Sequence, residues 1–77
     1  MKHNGFYYYK VDVMGRNGYS FMVKSNTEFA DEYDVIDIAL EREMFNVDDD
    51  ANYADVDSLV SLNDIEHFES CGCVRKI

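Results

Sequence analysis

The chain has 77 residues, 47% of them hydrophobic and 14% aromatic, with sixteen acidic side chains against seven basic ones for a net charge of −9. That length makes a single domain, 1–77, whose folding buries only about 60–65% of the unfolded surface, while the apolar content argues against a wholly disordered chain. A negative field repels phosphate and no basic cluster reverses it locally, so direct contact with nucleic acid or an anionic membrane surface is disfavoured.

No run approaches the roughly 18 apolar residues of a spanning helix. Met1-Lys2-His3-Asn4-Gly5 leads into tyrosines and a lysine without an aliphatic leader segment, and a cytoplasmic protein is expected. Cys71 and Cys73, one residue apart, cannot staple distant parts of a chain, which suits a reducing compartment.

In chain order, Tyr7, Tyr9, Val11 and Val13 alternate with Tyr8, Lys10, Asp12 and Met14, the period of a half-buried strand. Gly15-Arg16-Asn17-Gly18 follows as a turn. A three-residue loop, Arg16–Gly18, pairs Val13 with Phe21 and Val11 with Val23 and keeps one apolar face, whereas a two-residue Asn17-Gly18 loop mixes the faces. The expected turn is therefore type I with Gly18 left-handed in a bulge. Ser25-Asn26-Thr27-Glu28 reads as a capping box and predicts a helix to about Phe45. Phe29, Tyr33, Ile36, Ala39, Leu40 and Met44 gather on one side of it, and Asp34, Asp37 and Glu41 on another.

The loop Asn46–Asn52 contains three consecutive aspartates. Beyond it, Tyr53 to Val60 predicts a third strand with Ala54, Val56, Ser58 and Val60 on one face and Asp55, Asp57 and Leu59 on the other. Ser61-Leu62-Asn63-Asp64 is a second capping signal, with Leu62, Ile65 and Phe68 implying one or two helical turns, and Cys73 to Ile77 can close the sheet. The expected fold is α+β, an antiparallel sheet (N-terminal hairpin plus one or two further strands) packed on one main amphipathic helix, in the order ββαβ(α)β.

The strongest signal is the segregation of charge. Between Glu28 and Glu69 stand fifteen of the sixteen acidic residues and one base, Arg42, leaving that segment at −14. Side chains three and four apart on a helix recur every ~5 Å along its axis, so Asp34, Asp37 and Glu41 form a regular row that matches the roughly 3.4 Å between phosphates of a duplex strand only loosely in spacing but is comparable in charge density. Continued through Asp48, Asp49, Asp50, Asp55 and Asp57, such a row could occupy the basic groove of a nucleic-acid-binding protein. Acidity also keeps small domains soluble, but a surface made for solubility intersperses both signs.

Other constellations are weaker. Asp48, Asp50 and Asn52 imitate the opening of a calcium loop, yet Tyr53 stands where the Gly belongs and Leu59 where the bidentate Glu belongs. His67, Cys71 and Cys73 could supply three zinc ligands, with His3 as the remaining candidate for a fourth. The plainer expectation is two partly buried cysteines around Gly72 and no metal or other cofactor. There is no Ser/His/Asp order and no Gly-rich phosphate cradle, and carboxylates this exposed make poor general acids, so no catalytic residues are expected. Alternation leaves Phe6, Tyr8, Met14 and Met22 on the outer sheet face, an alternative contact surface for self-association as a homodimer or for an adaptor role.

In size, composition and charge layout the chain resembles the small acidic inhibitors that bacteriophages encode against host defence, anti-CRISPR and other DNA-mimic proteins among them. The resemblance implies a rigid anionic scaffold, acting in the host cytoplasm, that binds the DNA- or RNA-contacting surface of a basic protein such as a CRISPR effector and blocks it.

Overall fold

The computed structural model describes residues 2–15, 18–45 and 53–77. It is α+β, a mixed five-stranded sheet with one helix on each face. In chain order the elements are β1 (Lys2–His3), β2 (Phe6–Met14), β3 (Tyr19–Ser25), α1 (Asp34–Glu41), β4 (Tyr53–Asp57), α2 (Leu62–Ser70) and β5 (Val74–Lys76). β2 pairs with β3 along one edge; along the other it pairs with β1 through Phe6 and Tyr7 and with β4 through Lys10–Met14. β5 completes the sheet beside β3, in parallel.

β1 was not expected from the sequence, although Asn4-Gly5 spells its turn. Both residues have positive φ (53° and 84°), the requirement of a type I′ connection that Asn-Gly meets at little cost. The β2–β3 hairpin keeps its apolar face but in a different register: Val13 faces Tyr19 and Val11 faces Phe21, two residues from the expected pairing. Because side chains alternate with a period of two, a shift of two leaves each on its own face. Gly15, just before the expected loop, has a positive φ of 149° that favours glycine. Gly18 is needed for space instead, since a Cβ there would lie 2.9 Å from the Val13 carbonyl oxygen.

The helix expected from Ser25 onward starts nine residues later. Ser25 is the buried end of β3, and its hydroxyl accepts from the Thr27 amide in a local turn, not a cap. Residues 26–33 run irregularly over the sheet, held where the Phe29 amide donates to the Tyr9 hydroxyl and the Phe29 ring meets the Tyr9 ring edge-on at 5.7 Å. The working start signal is Asp31, whose carboxylate accepts from the Tyr33 amide and whose carbonyl accepts from Asp34. The buried stripe of α1 is Val35 and Ala39, not Tyr33 and Leu40, which are exposed. With Tyr9, Val11, Val13, Phe21, Val23, Phe45 and Val56 they form the larger core.

β4 ends at Asp57, so Val60 does not continue the Val56 face. It crosses to the opposite side and joins Tyr8, Met22 and Ile65 beneath α2. The second capping signal holds: the Ser61 hydroxyl accepts from the Asp64 amide while the Asp64 carboxylate accepts from the Ser61 amide, and α2 runs a full nine residues. Its other end is a Schellman motif around Gly72 (φ 73°), with the Cys73 amide donating to the Phe68 carbonyl and the Gly72 amide to Glu69. Among the described residues no helix is long and apolar enough to cross a membrane.

Candidate functional site, an anionic surface

On a helix of 3.6 residues per turn, Asp34, Asp37 and Glu41 fall within about 60° of arc, and the buried Val35 and Ala39 lie about 150° from them. Packing the apolar stripe on the sheet therefore turns the carboxylate row to solvent, and all three acids are exposed. Among the described residues there is a single ion pair, Lys10 Nζ to Asp12 Oδ1 at 3.8 Å. The α1 row is thus left without an internal counter-ion. Charge this closely spaced and uncompensated repels itself, a cost that an approaching cationic surface relieves.

The two β4 acids are placed less simply than the sequence implied. Alternation with Val56 sets Asp55 and Asp57 toward the sheet face opposite α1, where their cross-strand neighbours are Asp12 and Lys10. β4 is at the sheet edge, however, and Asp55 reaches back: its Oδ1 accepts from the Val56 amide at 2.9 Å and from the Tyr33 hydroxyl at 3.1 Å. Asp57 is exposed and accepts from the Leu59 amide. Asp55 is thereby tied to the residue that precedes α1, while Asp57 belongs to the strand edge. Asp48, Asp49 and Asp50, and with them the calcium-like opening, lie outside the described residues.

The alternative contact surface is not available as expected. Tyr8 is 3% exposed and Met22 fully buried, both beneath α2 with Ile65 and Val60, while Phe6 packs partly against the same cluster and Met14 alone of the four is exposed. The short periodic stretch around Ile65 was enough to cover the face. Burial, followed by the negative charge of Glu69, raises the Tyr8 hydroxyl above its ordinary pKa.

The cysteines lie at the surface, Cys71 exposed and Cys73 half-buried, with their sulfurs 2.8 Å apart across the Gly72 turn. The Schellman geometry accounts for the glycine between them. The hydrogen bond with Cys71 raises the Cys73 thiol, the opposite of what a reactive thiolate requires. The His67 ring stands edge-on to Phe68, His3 lies by Tyr8, and no cluster of three metal-capable side chains occurs among the described residues.

No protein-family model matches the chain, and no curated protein or solved structure matches it either.

Proposed function

We propose that the chain is a small acidic binding protein that inhibits a nucleic-acid-binding target, an anti-CRISPR or similar anti-defence inhibitor, by filling the target's basic groove with carboxylates in the host cytoplasm. The observation that carries this reading is the outward row Asp34, Asp37 and Glu41, in no ion pair among the described residues and carried by a helix whose Val35 and Ala39 are buried in the larger core. Asp55, joined to Tyr33, extends the negative surface toward the sheet edge, and Asp57 adds charge along that edge. A rigid display matters because a partner then neutralises charge without first ordering the side of the helix that bears it.

The test is displacement of labelled duplex or guide RNA from basic DNA- or RNA-binding proteins, a CRISPR effector complex among them. Displacement by the wild-type chain should weaken steeply between low and high salt, because screened surface charges dominate such association. The triple reversal Asp34→Lys, Asp37→Lys and Glu41→Lys should abolish displacement while leaving the circular dichroism spectrum unchanged. A triple variant that displaces as well as the wild type would end the proposal.

A further inference from the structure

Beside the N-terminal end of α1 the surface opens into a groove of about 590 Å³. Tyr7 and Phe29, both half-buried, and the exposed Tyr33 contribute aromatic surface to it, the buried Tyr9 backs them, and Leu59 lines it further. Leu59 is 88% exposed and Tyr33 53%, so both side chains are accessible at the rim of the groove. The lining also includes three carboxylates, Glu28, Asp31 and Glu32. None is in an ion pair among the described residues.

Aromatic faces together with carboxylates select for a flat cation. A guanidinium stacks on tyrosine and phenylalanine rings and still directs its N–H groups in-plane to a carboxylate, whereas an ammonium offers a point charge and no plane. The molecule already places cations on such rings, a guanidinium among them: Arg75 Cζ lies 5.9 Å from the centroid of Phe21, and Lys2 Nζ lies 5.4 Å from that of Tyr7, a groove residue. We infer that this groove is a receptor for an arginine side chain of the basic partner, seated against the aromatic wall and held by Glu28 and Glu32. The inference rests on the anionic-surface reading and adds an anchor to it. The row on α1 supplies long-range attraction; the groove supplies the one buried, oriented contact that fixes how the partner sits.

The experiment uses the intact chain, labelled with nitrogen-15, and two capped tripeptides, Gly-Arg-Gly and its uncharged isostere Gly-citrulline-Gly. Saturable shifts of the Phe29 and Ala30 amides with the arginine peptide, at least about tenfold weaker with citrulline, are the expected result. Tyr33→Ala should remove them; because that hydroxyl also holds Asp55, the double neutralisation Glu28→Gln with Glu32→Gln is the companion variant and should weaken binding several-fold without touching the Asp55 contact. Equal binding of the two peptides, equal binding of a Gly-Lys-Gly peptide, or unchanged affinity in the double variant overturns the arginine receptor. Shifts confined to Asp37 and Glu41 also overturn it, while leaving the anionic-surface proposal standing, since that proposal fails separately through the α1 charge-reversal variant.

Discussion

The two helices do the same job, each closing one face of a shared sheet, and they are built to different standards. α2 has a reciprocal capping box at one end and glycine at the left-handed position of a Schellman motif at the other. α1 has no side-chain cap at Tyr33, and its own C-terminal motif, in which the Met44 amide donates to Ala39 and Glu43 to Leu40, puts Glu43 at φ 57° where glycine is favoured. Asp34 and Asp37 suit the dipole of its first turn, but Glu41 stands at its C-terminal end, where no basic residue balances it. α2 is arranged for stability. α1 is held by the fit of Val35 and Ala39 against the larger core, and its outer face is given over to an exposed carboxylate row. The contrast separates residues that make the scaffold from residues that face outward from it.

The largest expected effect comes from truncating the smaller core. Ile65→Ala should cost about 2–5 kcal/mol in urea denaturation, while Leu62→Ala on the exposed side of the same helix should fall within about 0.5 kcal/mol of wild type. If both cost the same, α2 is not seated as described. Next come the ends of α2: Gly72→Ala should destabilise by roughly 1–2 kcal/mol, a purely conformational penalty since nothing lies within 4 Å of an added Cβ, and Ser61→Ala by about 0.5–2 kcal/mol. On α1 the corresponding change runs the other way, with Glu43→Gly raising stability by up to about 1 kcal/mol as the left-handed strain is relieved. A destabilised Glu43→Gly would show that this glutamate contributes a contact that offsets its strain.

The smallest effects are in pH. The backbone amide of Ser61, then its hydroxyl, holds the Asp64 carboxylate below its ordinary value of 3.8. A depressed folded pKa adds stability above the unfolded value and loses it as pH falls through the folded one. The stability gap between wild type and Asp64→Asn should therefore be open at pH 7 and close as pH falls from the ordinary carboxylate value through the lowered one. Tyr8 works in the opposite direction: its raised pKa stabilises the fold below the ordinary tyrosine value of 10.0 and ceases to do so as pH climbs past it. Ultraviolet difference titration against Tyr8→Phe should show late ionisation of Tyr8, and Ile65→Ala, by wetting that site, should lower it.

How far these features were legible depends on how local their causes are. The Ser61–Asp64 box, the alternation of β2 and the acidic row on α1 are read from neighbours two to four residues apart, and each is found in the structure. The start of α1 was misread because Ser25-Asn26-Thr27-Glu28 has the letters of a cap, but the Tyr9 hydroxyl takes the Phe29 amide and a serine turn takes Thr27, leaving no free run for a helix until Asp31. Tyr8 and Met22 were assigned to an open face because the reach of α2 depends on Val60 crossing the sheet, a long-range event with no periodic trace. The Asn4-Gly5 turn, by contrast, was available from two residues and was passed over. The groove was beyond reach altogether, since it joins Tyr7, Phe29 and Leu59 from three separate stretches.

The parallel pair of β3 and β5 has a consequence for how the molecule comes together in time. Met22 lies opposite Val74, 52 residues later, and the Ile77 amide donates to the Lys24 carbonyl. A hairpin such as β2–β3 closes within about 1–10 μs, whereas a pairing this distant must first meet the entropy of a long loop and slows assembly accordingly. The sheet is thus expected to grow outward from its central hairpin and to zip its parallel edge last. Damage to α2 or β5 should accordingly appear as faster unfolding, with the refolding rate nearly unaltered.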